Sequence, residues 1–205
     1  MAKKFISDIA FSESVKKQQE KMGSRAIYQK MAEKRDWQQK LTMIMPFIRD
    51  RDSFYMASVN ADGQPYIQHR GGPKGFLKII DDHHLGFADY SGNRQYISVG
   101  NFDDNNKVHL FLMDYPNRTR IKIWGEAMVI DKNDPELQFL YDEKYGSQLE
   151  RFIKIKVTAW DANCPQHIQQ RYTLEEMKPH INTLNQKIQD LEKKVEDCCP
   201  KENQL

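Results

Sequence analysis

The run Thr119-Arg-Ile-Lys-Ile-Trp-Gly-Glu-Ala-Met-Val-Ile130 alternates apolar and polar residues along its length. Ile121, Ile123, Gly125, Ala127 and Val129 fall on one side, and Arg120, Lys122, Trp124 and Glu126 on the other. Successive strand side chains point to opposite faces, so this is a strand with one buried face. Gly125 in its middle predicts a bulge or bend of the kind a closing sheet needs. Lys107–Asp114 precedes it, joined through Tyr115-Pro-Asn-Arg118. Phe54–Val59 and Pro65–His69 form a hairpin with Asp62-Gly63 at its tip. Gly75–Ile80, Leu85–Asp89 and Phe152–Ala159 supply further strands. About seven short strands with tight connections predict an antiparallel barrel rather than a parallel sheet.

Helical patterns flank the strands. Ser12 or Ser14 can cap a first helix, and Gly23-Ser24 separates it from a second over Arg25–Arg35. Trp37–Ile48 places Leu41, Ile44, Met45 and Ile48 on one face, with Pro46 as a kink or break. One or two helical turns are expected over Asn93–Val99, and a short helix from Pro135 to about Lys144. In the tail, Leu174, Met177, Ile181, Leu184, Ile188, Leu191 and Val195 recur at alternating steps of three and four. That narrow a/d seam calls for a partner helix, or for the body of a sister subunit; the plainer alternative is one buried face of a surface helix. The organisation expected is an N-terminal helical segment over 1–51 packing on the barrel, a barrel domain over 52–172, and a heptad helix and tail over 173–205.

The formal charge is only +2, from 31 basic and 29 acidic side chains. This gives no case for a nucleic-acid or membrane surface as partner. Lys3 and Lys4 are followed by Asp8 and Ser12-Glu13, which interrupt any signal-like apolar run. Cys164, Cys198 and Cys199 make neither a disulfide framework nor a spaced metal motif, so a reducing cytoplasm is the expected setting. Cys198-Cys199 reads as a redox-active pair or as an exposed tail pair with no role.

The stretch most able to carry chemistry is His69-Arg-Gly-Gly-Pro-Lys-Gly-Phe76, answered by Asp89-Tyr-Ser-Gly-Asn-Arg-Gln95. Glycine permits close backbone approach, so the first run can aim N–H groups at one anion. Arg70 adds a planar fork for phosphate oxygens and Lys74 a point charge. Ser91, Asn93, Arg94 and Gln95 add side-chain donors. A site for a phosphate-bearing ligand is one reading; two glycine-rich turns with nearby surface cations is the other.

These two stretches, with Asp52-Ser-Phe-Tyr55, Gly23-Ser-Arg25, Phe111-Leu-Met-Asp-Tyr-Pro116, the continuation to Asn101 and the later Asp161-Ala-Asn-Cys-Pro-Gln-His-Ile168, resemble the pyridoxamine 5′-phosphate oxidase-like flavin-binding proteins, and more narrowly a bacterial subgroup of them. The subgroup carries tryptophan where this chain has Ala162. The resemblance spans roughly residues 11 to 173. It implies an α+β fold built on a split β-barrel, a homodimer, and FMN at the subunit interface. On that likeness, Arg70, Lys74, Arg94 and Gln95, with Asp89, Tyr90 and Asn93, hold the phosphate and ribityl chain. The backbone along Gly72, Pro73, Gly75, Phe76 and Leu77 runs beside the flavin ring. Lys78 falls near a flavin-proximal lysine, and Arg120 matches a strand position that reaches the partner subunit's flavin, where a cation favours the anionic reduced ring.

Gln166 and His167 form a polar pair placed to fold over a cofactor, and His167 is the candidate proton donor. A histidine in a proline-containing turn is also commonly structural. His69 reads as a strand cap and His83-His84 as a turn; His, Asp and Cys are too scattered for zinc spacing, so no metal site is expected. The oxidases end with an Arg-x-His that holds pyridoxamine phosphate, whereas this chain has Cys164-Pro-Gln-His167. The resemblance therefore implies an FMN-dependent oxidoreductase acting on another small molecule. A flavin-binding protein without turnover, or a split barrel using haem or a deazaflavin, stays open.

Overall fold

A computed structural model describes residues 9–34, 40–163 and 165–198. Arg35, Trp37, Cys164 and Cys199, singled out above, lie outside the described residues, as do Lys3, Lys4 and Asp8. Seven strands form one antiparallel sheet: β1 (Ser53–Val59), β2 (Pro65–Gly71), β3 (Lys78–Asp81), β4 (His84–Tyr90), β5 (Lys107–Asp114), β6 (Thr119–Asp131) and β7 (Leu149–Asn163). Their order is β2-β1-β5-β6-β7-β4-β3.

The sheet is rolled, and the packing of its phenylalanines proves it. Strands β1 and β4 lie four ladder steps apart, so in a flat sheet they would be separated by about 19 Å. Yet Phe54 on β1 and Phe87 on β4 meet with ring centroids 5.5 Å apart. Phe76 completes the group, stacked on Phe54 at 5.5 Å. Around them, Met56, Leu85, Leu110, Leu112, Ile123, Ile153 and Ile155 are sealed from solvent. Among the described residues no ladder joins β2 to β3, so the barrel is split along that seam. This is the α+β split barrel that the resemblance implies, and its antiparallel pairing is the one the strand pattern predicts.

Gly125 marks the point where the sheet turns. Trp124 pairs with Ala159 and Gly125 with Val157, so Thr158 is an extra residue contributed by β7. A Cβ on Gly125 would lie 2.7 Å from Ile155 Cγ2 and 2.8 Å from the Lys156 carbonyl oxygen. Only glycine fits that approach. The bulge also changes which β7 residues face inward: Ile153, Ile155 and Val157 do so before it, and Trp160 after it.

Helices α1 (Glu13–Lys21) and α2 (Arg25–Lys34) precede the barrel. Ser12 is the cap, its hydroxyl accepting from Val15 N–H at 3.3 Å. A 3-10 turn, Leu41–Ile44, leads into α3 (Met45–Arg49), with Pro46 in the first helical turn rather than at a kink. Leu41, Ile44 and Ile48 insert into the core. Arg51 fastens this segment, donating to the Phe47 and Met113 carbonyls at 3.2 and 2.8 Å and to Asp114 Oδ2 at 3.0 Å.

Local pattern and structure differ in three places. The strand expected from Gly75 begins at Lys78, because Gly75 adopts φ +78° and turns the chain. The helix expected over Asn93–Val99 is α4, Ile97–Asp104. The helix expected after Pro135 is two 3-10 turns, Gln138–Leu140 and Glu143–Tyr145. Last comes α5 (Leu174–Cys198), opened by a capping box: Thr173 N–H donates to Glu176 Oε2 at 2.8 Å and Glu176 N–H to Thr173 Oγ1 at 3.2 Å.

Candidate functional site

The split between β2 and β4 is bridged by side chains instead of a ladder. Arg70 on β2 donates to Asp89 Oδ1 on β4, and Arg151 Nε stands 3.4 Å from Asp89 Oδ2. Burial pushes the Asp89 carboxyl above its ordinary range, while the two guanidiniums pull it back down. Glu150 accepts from Arg151 and from the Tyr96 hydroxyl, and these partners hold its carboxyl below the usual range.

Above this bridge opens a cleft of about 240 Å³, lined by Tyr66, Gln68, Arg70, Asn93, Arg94 and Gln95 among others. Two further hollows adjoin it through Tyr90: one along Gly72–Phe76 of about 330 Å³ and one over His69–Gly71 of about 190 Å³. Three adjoining hollows of this kind match the scale of a cofactor site. The floor is stiffened by Tyr90, whose hydroxyl accepts from Asp142 N–H at 3.1 Å and whose ring lies 4.9 Å from that of Tyr145. Beneath Gln68, Ser98 donates to its Oε1 at 2.9 Å, and Asn101 donates to Ser58 Oγ at 2.9 Å.

The loop facing Arg70 is held in a conformation side chains rarely adopt. Arg94 has φ 60° and Tyr96 φ 55°, each costing of order 1–3 kcal/mol. Asn93 stabilises the turn by accepting from Gln95 N–H at 3.2 Å. The result directs Arg94 and Gln95 to the same cleft as Arg70.

Several expected contributors sit elsewhere. The glycine-rich run is not an anion nest: Gly72 N–H donates to the Asp52 carbonyl at 2.9 Å, Gly75 N–H to that of Arg51 at 2.9 Å, and Phe76 N–H to that of Pro73 at 2.9 Å. These donors are spent on closing the loop. Lys74 is exposed; it lines the adjoining hollow along Gly72–Phe76 and a further one with Arg51, Asp114 and Glu176, but not the Arg70 cleft itself. The Leu77 side chain is core, 1% exposed, which leaves only its backbone for a ligand. Asp89 is occupied by two arginines and so positions Arg70 instead of meeting a ligand itself. Lys78 donates to the Phe139 carbonyl at the edge of the adjoining hollow.

Arg120, Gln166 and His167 form a second group at the end of β6 and β7. Arg120 pairs with Asn163, the last residue of β7, and the turn that follows carries Gln166 and His167. Both are exposed, and His167 has φ 63° in a turn closed by Ile168 N–H to the Pro165 carbonyl at 3.3 Å. Within one chain this group does not line the Arg70 cleft.

Whether the residues suit a phosphorylated flavin is tested by their spare capacity. Arg70 Nε and Arg120 Nε are buried with no hydrogen-bond partner among the described residues. Buried donors of charged groups normally find an acceptor, so each is open to one from outside. The donor set therefore fits an anionic ligand with carbonyl edges.

Tyr66 and Gln68 lie four and two residues before Arg70 and could have been found from strand alternation. Glu150, Arg151 and Tyr145 come from far along the chain, and no local pattern announces them.

The family model for pyridoxamine 5′-phosphate oxidase matches residues 42–164, and the chain belongs to that family. No curated protein matches. Among solved structures, HupZ of Group A Streptococcus is similar at 17% identity, with a TM-score of 0.47 over 63% of this chain and 98% of that one. An FMN-binding protein from Syntrophomonas wolfei is similar at 14% identity and TM-score 0.46, covering 74% and 96%. HutZ, the haem storage protein of Vibrio cholerae, gives 14% identity and TM-score 0.41 over 59% and 90%.

Proposed function

We propose that this chain binds FMN as a homodimer and is an oxidoreductase acting on a small molecule other than pyridoxamine phosphate. The observation that carries the reading is Arg70: fixed by Asp89, facing the Arg94–Gln95 loop, with a buried Nε that nothing among the described residues satisfies. In this arrangement Arg70 and Arg94 neutralise the phosphate, and Asn93 and Gln95 bind the ribityl hydroxyls. The wall from Gly72 to Phe76 lies beside the ring and excludes water through Phe76 and Tyr90. The partner subunit's copies of Arg120, Gln166 and His167 close the site from the other side.

Bound flavin supplies hydride acceptance and donation; the chain supplies position and charge. Arg120 would favour the reduced, anionic ring by placing its guanidinium at the developing charge. His167, exposed in a strained turn, would hold a proton for the substrate. Pyridoxamine phosphate is disfavoured because Pro165 stands two residues before His167 where the oxidases carry arginine.

Purified protein should be yellow and release one FMN per chain, identified by absorbance and mass. Arg70→Ala should weaken FMN by roughly 10- to 100-fold, the usual worth of a charge-assisted hydrogen bond. A colourless protein that takes up no added FMN would overturn the reading.

A further inference from the structure

Helix α5 leaves most of its apolar seam in water, Met177 alone being half-buried. Leu174 is 85% exposed, Leu184 57%, Ile188 52%, Leu191 60% and Val195 64%. The helix spans 25 residues, about 37 Å, and none of them is buried. An amphipathic helix of this length needs a second surface, and the residues specify which one.

With Leu174 at heptad position a, the later a positions hold Ile181, Ile188 and Val195, all β-branched. The d positions hold Met177, Leu184, Leu191 and finally Cys198. β-branched residues at a with leucine at d favour two parallel strands over three or four. The flanking charges choose the same arrangement. In a parallel pair each g residue faces the e residue five positions on in its partner, which brings Lys187 to Glu192 twice, once on each side. An antiparallel pair would instead set g against g, bringing Lys187 against Lys187 and His180 against Lys194. The same antiparallel pair sets e against e and joins Lys178 to Glu192, so it mixes unlike with like charges, whereas the parallel pair joins Lys187 to Glu192 and brings no like charges together.

We propose that α5 pairs in parallel with α5 of a second copy of this chain, in register, as a two-stranded coiled coil. Its register places the two Cys198 side chains opposite one another across the axis. Cys198 is exposed and unpaired within the chain.

The test uses the full chain carrying Cys164→Ser and Cys199→Ser, so that Cys198 is the sole thiol. Copper(II)-phenanthroline is the oxidant: two thiols lose two protons, their two electrons pass to the copper, and one S–S bond forms. The expected result is nearly complete covalent dimer. Moving the thiol to the outer face with Cys198→Ser and Gln186→Cys should cut cross-linking at least tenfold. Adding Leu184→Lys and Leu191→Lys to the Cys198 protein should do the same, with the barrel's aromatic circular dichroism unchanged. Absence of the Cys198 cross-link, as an antiparallel pair would give, overturns the proposal. So does a cross-link equally strong at residue 186, or one indifferent to the two lysines. None of these readouts depends on bound flavin, so the coil and the flavin site stand or fall separately.

Discussion

The barrel and helix α5 are both built from strictly periodic apolar sequence, yet they reach opposite ends. In the barrel the period of two gives a sheet that rolls until Phe54 and Phe87 touch, so its apolar face covers itself. In α5 the seven-residue repeat gives a seam that nothing among the described residues buries. A twisted sheet can close on itself, whereas a straight helix cannot fold its own stripe inward. Periodicity therefore states what needs covering, and element geometry decides whether one chain suffices.

The sharpest way to break that contrast is to cut one large apolar side chain from each region. Phe87→Ala should cost about 3–5 kcal/mol, because the cavity opens between strands that meet only across the rolled core. Leu184→Ala should change unfolding of dilute protein by less than about 0.5 kcal/mol, since its side chain has no partner to lose. Urea titrations of the two variants at low protein concentration would measure both. Comparable losses would mean that α5 is packed against its own chain.

The split seam comes next. Arg70→Met removes one member of the bridge and leaves Asp89 buried beside Arg151 alone. Losing a buried partner costs roughly 3–5 kcal/mol, and the lower end applies here because Arg151 remains. Asp89→Asn in the same background should restore part of the loss, as no uncompensated charge is then left. If Arg70→Met unfolds at the denaturant midpoint of the native chain, side chains do not hold the seam.

Gly125→Ala tests how the sheet closes. Its new methyl would press on the Lys156 carbonyl, which cannot move without opening the β6–β7 ladder, so about 1–3 kcal/mol is expected. A loss below that range would show the bulge relaxing elsewhere along β7.

Much of this was legible in advance, and the reasons are physical. Alternation in β6 announces a one-sided strand wherever it occurs, and a mid-strand glycine announces a close approach, here realised at Ile155 and Lys156. The a/d seam of α5 was equally plain, because it is local. The fate of the glycine-rich run was not. Whether Gly72, Gly75 and Phe76 offer their N–H groups to a ligand depends on carbonyls of Arg51, Asp52 and Pro73, and on how the loop folds back to reach them. Nor could spacing separate Lys74 from Arg70: four residues apart in sequence, they line different hollows, Arg70 the main cleft and Lys74 the one beside it and another shared with Arg51 and Glu176. Arg70, Arg94 and Gln95 came together as expected because a strand and a turn, each locally readable, happen to face one cleft. Asp89 changed meaning once its two arginine partners were visible.

The smallest effect concerns the outer face of the barrel, where covering is incomplete. His109 on β5 lies 4.7 Å from the Trp124 ring, and its Nε2 is buried with no partner among the described residues. Burial, then the nearby Lys122 cation, hold its pKa below the ordinary histidine value. The unfolded chain therefore takes up a proton at a pH where the folded chain still refuses it. Stability should be full above the ordinary histidine value, about 6.5. It should decline as pH falls through the window between that value and the lowered one, and level off once both states are protonated. His109→Gln removes the titration, so its unfolding midpoint should be flatter across the same window. Should a neighbouring subunit cover this face with an acceptor for Nε2, His109 would gain a partner and the decline would vanish at high protein concentration. Measuring the pH dependence at two concentrations thus asks of the barrel's exterior what the cross-link asks of α5: whether a surface left open by one chain is closed by another.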